Sequence, residues 1–170
     1  VYAAGKNYSL RNFSGNFDDA GLTEAVRYAH AINKKIYITV NVFPHNRDLE
    51  GIRNHLKFLN EIKPDGLIIS DLGVFSMAKK EAPAIPVHIS VQSNNLNYME
   101  VNEWHSLGAK RIVLARELSF GEIKEIREKC PQMELEIFVH GAICMSYSGR
   151  CLLSDYMAGR SANSGECAQS

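Results

Sequence analysis

Short apolar runs alternate along the chain with longer segments in which apolar residues recur every three or four positions. Runs that are apolar at nearly every position are typical of parallel strands covered on both faces. The sequence therefore predicts a parallel sheet. The predicted strands are 36–42, 67–70, 87–91, 111–115 and 134–139, and residues 1–4 look like the end of a further strand.

The segments between these runs predict five helices. A short third helix ends before Pro83, a fourth ends at Gly108, and Ser119 with Glu122 forms a capping box at the start of a fifth. The first two helices carry clear apolar stripes, formed by Leu22, Ala25, Val26, Ala29 and Ile32 and by Leu49, Ile52, Leu56, Leu59 and Ile62.

The predicted strand ends recur at intervals of 21 to 30 residues, which is the spacing of βα units. A barrel of eight such units takes about 250 residues. We therefore predict an α/β fold with a TIM-barrel-like parallel sheet, present as an incomplete barrel. Residues 1–170 would form a single partial domain whose opening strand and C-terminal part lie outside this chain. An open doubly wound sheet is the alternative.

Composition and charge exclude several classes of protein. The 170 residues are 45% apolar, which is enough for one globular core, and no apolar run is long enough to span a membrane. Nineteen basic residues balance nineteen acidic ones, so no overall charge attracts nucleic acid or anionic lipid, and any RNA contact must be local. The amino terminus does not resemble a secretion signal, and we expect a cytoplasmic protein.

Polar residues follow five of the predicted strands, at the end of a βα barrel where active sites lie. We predict that His140, Glu117 and Arg116 are catalytic, with His140 or Glu117 moving a proton. Capping a helix is the alternative role for one predicted substrate-binding residue, Asp71. The predicted substrate-binding residues are Asn41 and Gln92, which would read a ring edge, Asp71, and Arg150 and Arg160, which would hold a carboxylate or phosphate.

Three of the four cysteines lie in one glycine-rich segment near the end of the chain. Six residues separate Cys144 from Cys151, and fifteen separate Cys151 from Cys167. Thiolates select zinc or iron–sulfur clusters, which normally take four ligands. The paired spacing of structural zinc sites is missing, which favours a cluster held by these three residues. Cys130, at the end of a predicted helix, is predicted to be a buried thiol.

The segment around these cysteines resembles the signature of the peptidase U-32 family, also called the collagenase-like peptidase family. The similarity extends over the whole chain, through the segments 2–11, 41–46, 113–117 and 159–170. The signature positions are matched by Glu136, Phe138, Gly141, Ala142, Cys144, Gly149, Cys151 and Ser154.

The resemblance implies a βα-barrel-like catalytic domain in which Cys144, Cys151 and Cys167 hold a 4Fe-4S cluster. A further family cysteine follows the position of segment 168–170, outside this chain. The implied activity is hydroxylation of a transfer RNA uridine, a ribosomal RNA cytidine or a quinone precursor, with prephenate as a cosubstrate in some members. RNA or a small aromatic molecule would be the substrate, and a paralogous protein a partner.

Two other functions stay open at this point. A collagenase-like peptidase with Cys144 as nucleophile and His140 as base is chemically reasonable, but it leaves Cys151 and Cys167 unexplained. The chain has no His-Glu-x-x-His zinc motif and no Gly-x-Ser-x-Gly elbow. A noncatalytic RNA-binding domain stabilised by a metal is the third hypothesis.

Overall fold

Six strands form one parallel sheet in a computed structural model that describes residues 1–10, 15–141 and 143–167. The resemblance positions at 11, Ala142 and 168–170 lie outside the described residues. All predicted strands are confirmed: the strand predicted at 67–70 is shifted by one residue at equal length, and the others are shorter than their apolar runs. They are β1 (Tyr2–Ala4), β2 (Tyr37–Val40), β3 (Gly66–Ile69), β4 (Val87–Ile89), β5 (Arg111–Val113) and β6 (Glu134–Glu136).

The five predicted helices are confirmed, and a sixth lies in the cysteine-rich segment. Gly108 ends the fourth helix, and Ser119 forms the predicted capping box with Glu122. No helix of the described residues is long and apolar enough to cross a membrane. The helices are α1 (Asp19–Ala31), α2 (Leu49–Ile62), α3 (Leu72–Glu81), α4 (Tyr98–Leu107), α5 (Phe120–Lys129) and α6 (Leu153–Ala158).

The core lies between one face of the sheet and the helices. Fully buried leucines of α1 and α2 belong to the same cluster as the outward-facing side chains of the strands. Burial of each such side chain contributes about 1.5–3 kcal/mol. The fully buried core residues of α1 and α2 are Leu22, Ile52, Leu56 and Leu59. Those on the sheet side are Ile38, Val40, Leu67, Ile69, Ile89 and Ile112, together with Leu114 just after β5.

The opposite face of the sheet curls inward as in a barrel. Neighbouring strands pair in chain order from β1 to β6, and an order that never reverses excludes the doubly wound alternative. No backbone pairing joins β1 to β6 among the described residues. The Tyr2 hydroxyl on β1 nevertheless donates to the Glu136 carboxylate on β6, so the first and last strands approach each other. The predicted incomplete barrel is confirmed.

Aromatic and charged side chains fill the inner face near the amino ends of the strands. The Tyr37 ring lies 5.0 Å from the His88 ring, and the Arg111 guanidinium lies 5.4 Å from Tyr37. Arg111 also donates to Glu134 at 2.7 and 2.9 Å. Gly66 makes room for this layer, since a Cβ there would lie 3.0 Å from the Tyr37 ring. The layer blocks the inner face at this end, which leaves the carboxyl end for a site.

The buried His88 makes the fold sensitive to acid. Burial, and then the positive charge of Arg111, lowers the pKa of His88 from 6.5 to about 4, against the opposite effect of Glu134 and Glu136. The unfolded chain therefore takes up this proton at a higher pH than the folded chain. We expect the free energy of unfolding to fall by about 2 kcal/mol between pH 7 and pH 5 from this group alone.

Urea unfolding of wild type and His88→Phe at both pH values tests this expectation. The phenyl ring removes the titrating group and keeps an aromatic ring beside Tyr37. The variant should lose about 2 kcal/mol of the pH dependence. An identical fall with pH in both proteins would show that His88 is not responsible.

Candidate active site

A pocket of about 570 Å³ opens on the inner face of the sheet, towards the carboxyl ends of the strands. Small side chains at inward positions, such as Ala4, Thr39 and Ser90, leave this space. Its volume falls in the range of small-molecule sites. The pocket is lined by residues of the first loop and of the strands or strand ends: Tyr2, Ala3, Ala4, Ser9, Leu10, Gly15, Asn16, Phe17, Thr39, Asn41, Ile68, Ser90, Val91, Gln92, Val113, Glu136 and Phe138.

Two predicted substrate-binding residues, Asn41 and Gln92, line this pocket. The Asn41 Oδ1 accepts a hydrogen bond from the Leu10 backbone N–H at 3.2 Å, which fixes the orientation of its amide. Gln92 follows β4 as predicted, in a short 3-10 helix, Val91–Ser93. Val91 was predicted to end the strand but belongs to this helix, because the Ser90 hydroxyl accepts from the Gln92 N–H and turns the chain. Both side-chain amides can therefore face a ligand in the pocket.

Asp71, which is also predicted to bind the substrate, has a structural role. Its carboxylate accepts a hydrogen bond from the Val74 N–H at 2.8 Å and caps the start of α3. It is not among the residues that line the pocket. The capping role considered for Asp71 is confirmed, and its binding role stays a prediction.

The cysteine loop, residues 144–151, brings two of the three predicted ligands together. Burial raises the pKa of the Cys144 thiol, but hydrogen bonds from Ser146 and Arg116 outweigh it and leave that pKa below its usual value. The Ser146 side chain, with backbone N–H groups of Leu153 and Ser154, also lowers the pKa of Cys151. Ser146 is thus shared by both thiols, and its hydrogen bonds stabilise their thiolate forms, the forms that bind metals.

The third cysteine reaches the same region through α6. The Ser154 hydroxyl donates to the Cys167 sulfur at 3.8 Å, while the Leu153 N–H donates to the Cys151 sulfur at 3.4 Å. No three His, Cys, Asp or Glu side chains of the described chain lie close enough to hold a single metal ion. A cluster distributes its thiolates over several iron atoms and is stabilised by N–H bonds to sulfur. Hydrogen-bonded cysteine sulfurs are the ligands that iron–sulfur clusters take, so the chemistry of these donors is compatible with a cluster.

Arg116 and Glu117, which follow β5, both contact the cysteine loop. Arg116 donates to the Ser148 hydroxyl at 3.1 Å and to the Ser146 carbonyl at 2.9 Å. Glu117 accepts from the Ser148 backbone N–H at 2.7 Å and from the Asn94 amide at 3.4 Å. Neither residue is among those that line the pocket.

The remaining predicted site residues lie around the loop. His140 and Arg150 are exposed, and Arg160 is half-buried, with its backbone N–H bonded to the Ser154 carbonyl. Their catalytic and binding roles stay predictions. Cys130 is confirmed as a buried thiol: its sulfur donates to the Tyr98 carbonyl, and burial raises its pKa.

Sequence reasoning missed two groups of residues. Ser146 and Ser148 organise the cysteine loop, yet serines near a histidine carry little sequence signal. The inward position of Thr39, Ser90 and Val113 was also missed. The sequence signal for this position is the alternation of side chains between the two faces of the sheet, since the register places every second residue of a strand on the inner face.

The sequence matches one known protein family over its whole length. The family model of peptidase family U32 matches residues 1–170. The chain belongs to peptidase family U32. This U32 chain is 47% identical over 167 residues to tRNA hydroxylation protein P of Escherichia coli strain K12, covering 98% of itself but 37% of that protein. It is 34% identical to a 23S rRNA 5-hydroxycytidine synthase of the same organism, covering 99% of itself and 25% of the synthase.

A solved structure of a U32 peptidase has the same fold. It superposes with a TM-score of 0.67 at 15% identity, over 81% of this U32 chain and 59% of the other. At this identity the likeness concerns the fold alone. Since the chain spans well under half the length of the two relatives named above, it corresponds to one part of such proteins.

Proposed function

We propose that this U32 chain belongs to a protein that hydroxylates a pyrimidine base of transfer RNA or ribosomal RNA, with a 4Fe-4S cluster held by Cys144, Cys151 and Cys167. The observation that carries the proposal is the contact between the pocket and the cysteine loop. Gly149 of the loop packs directly on the backbone of Gln92, which lines the pocket. The names of the two relatives from E. coli support the same chemistry.

The pocket suits a single base taken out of an RNA chain. Enzymes that modify a base draw it into such a pocket and read its edge with hydrogen bonds. Asn41 and Gln92 supply amides of the kind that read a base edge, and Phe138 adds an aromatic ring at the wall. In the proposed complex these side chains orient the base so that one ring carbon faces the cysteine loop.

The other predicted residues receive roles around this pocket. The bound cluster would supply electron transfer. His140, which is exposed near the loop, would hold or move a proton. Arg150 and Arg160 would bind the RNA phosphates or the carboxylates of prephenate, the proposed cosubstrate. We further propose the cytoplasm as the location and a paralogous protein as a partner.

Metal analysis of the intact protein, purified without oxygen, tests the cofactor. We expect brown protein with about four iron atoms per chain. Cys144→Ala, Cys151→Ala and Cys167→Ala should each lose the iron and the visible absorbance. The matched control is Cys130→Ala, which changes a cysteine bonded to the Tyr98 carbonyl within the core, and it should keep both.

Mass spectrometry of nucleosides tests the reaction. RNA from cells lacking the protein should regain its hydroxylated pyrimidine with wild type and with Cys130→Ala, but with none of the variants at Cys144, Cys151 and Cys167. Iron-free wild-type protein would contradict the cluster. Zinc with RNA binding but no modification would favour a noncatalytic domain. Gelatin cleavage lost in one cysteine variant only would favour a peptidase.

A further inference from the structure

Two charged residues predicted to be catalytic direct their polar groups at the cysteine loop. We infer that Arg116 and Glu117 are positioning residues that together hold Ser146 and Ser148, and through them the sulfurs of Cys144 and Cys151. We call this pair the loop clamp. The hydrogen bonds between this pair and the loop are observed in the structure. The identity of the metal centre that the cysteines hold rests on the proposed function.

The Arg116 guanidinium bridges two points of the loop. Its Nε donates to the Ser148 hydroxyl at 3.1 Å, and its Nη2 donates to the Ser146 carbonyl at 2.9 Å. A planar guanidinium fixes the relative position of two acceptors, which an ammonium group cannot do equally well. Arg116 therefore sets the bend of the chain from Ser146 to Ser148, between the two cysteines.

Glu117 holds the same bend through the backbone. Its Oε1 accepts from the Ser148 N–H at 2.7 Å, and its Oε2 accepts from the Asn94 amide at 3.4 Å. Both carboxylate oxygens thus have protein partners, and Asn94 is buried. Ser148 is fully buried as well and is bound through its hydroxyl and its backbone N–H.

The middle of the loop, from Ser146 to Ser148, connects the loop clamp to both cysteines. The loop spans eight residues from Cys144 to Cys151, with Ser146 and Ser148 in its middle. Ser146 interacts with both thiols, and its carbonyl is held by Arg116. Loss of either clamp residue releases the centre of the loop, while the sheet below it remains packed.

Hydrogen exchange of the loop in the intact protein tests the clamp directly. We expect Arg116→Gln and Glu117→Ala to speed exchange in the peptide containing Ser148 by about tenfold or more, the usual effect of losing a hydrogen bond to a charged group. Glu117→Gln keeps an oxygen for the Ser148 N–H, and its NH2 group can donate to Asn94 once the Asn94 amide turns its oxygen towards it, so exchange should stay within about threefold of wild type. Arg111→Lys is the matched control, since Arg111 binds Glu134 at the other end of β5 and should leave the loop unchanged.

Retention of iron gives a second measurement. Under an iron chelator, the visible absorbance of Glu117→Ala should decay about tenfold faster than that of wild type, and Glu117→Gln should restore the slow decay. Alkylation of the buried Cys130 reports unfolding and should stay slow in every variant used. If Glu117→Ala unfolds, Ser148→Ala removes only the acceptor of the Arg116 Nε and should still speed loop exchange.

The two proposals fail differently. Loop exchange that is unchanged in both Arg116→Gln and Glu117→Ala overturns the clamp, whatever the metal content. Wild-type protein without iron overturns the proposed cofactor, while faster loop exchange in the variants still supports the clamp.

Discussion

Replacing Gly149 with alanine is expected to abolish iron binding by the intact protein. Gly149 has a φ of +67°, and a Cβ at this position would lie 1.8 Å from the Gln92 carbonyl oxygen and 2.8 Å from its carbon. No rotamer relieves a clash with backbone. The Gln92 segment is itself held, since the Ser93 hydroxyl donates to the Ser70 carbonyl at 2.7 Å. The loop must move away, at a cost we place above about 4 kcal/mol.

The matched control is Gly159→Ala. Gly159 also has a positive φ, of +60°, but a Cβ there would meet no atom within 4 Å. Gly159→Ala should therefore cost only the strain of an alanine in the left-handed conformation, about 1–2 kcal/mol. Iron and sulfide analysis should find no cluster in Gly149→Ala and a normal one in Gly159→Ala. Equal iron in both variants would show that close packing on Gln92 is not required.

Filling the pocket is expected to stop the RNA reaction without loss of iron. Thr39 lies on β2 and lines the pocket, and its hydroxyl makes a long hydrogen bond of 3.4 Å to the Ala3 carbonyl. In Thr39→Phe the ring would occupy the space proposed for the base. A displaced substrate typically costs about a hundredfold in rate or more. We therefore expect at least about a hundredfold less modified nucleoside per unit time.

Thr39→Val separates the loss of space from the loss of the hydroxyl. Valine has nearly the shape of threonine and is favoured in strands, so this variant should modify RNA at close to the wild-type rate. Both variants should keep their visible absorbance, because Thr39 is not part of the cysteine loop. Full activity of Thr39→Phe would place the reacting base outside this pocket.

Much of the fold was predictable from residue periodicity. The apolar stripe of α2, from Leu49 to Ile62, matches the observed helix end to end, and the capping residues Ser119 and Gly108 are confirmed. Such signals are local, which explains why they can be read from sequence. Helix α6 was missed because its six residues are too few to show a period.

The site was predictable in position more than in detail. Placing polar residues at the carboxyl ends of strands brought Asn41 and Gln92 to the pocket. The same rule could not show that Arg116 and Glu117 point at the cysteine loop, since that depends on how residues about thirty positions later fold back. Asp71 shows the same ambiguity, because a carboxylate after a strand caps a helix as readily as it binds a ligand.

The order of the strands has a consequence for biosynthesis. Each strand pairs with the one made just before it, so every βα unit can dock on its predecessor as it leaves the ribosome. Gln92, Arg116 and Glu117 are all translated before Cys144. The residues that contact the cysteine loop are thus in place before the cysteines are made, and the proposed cluster would be inserted at the last stage of maturation of this part of the protein.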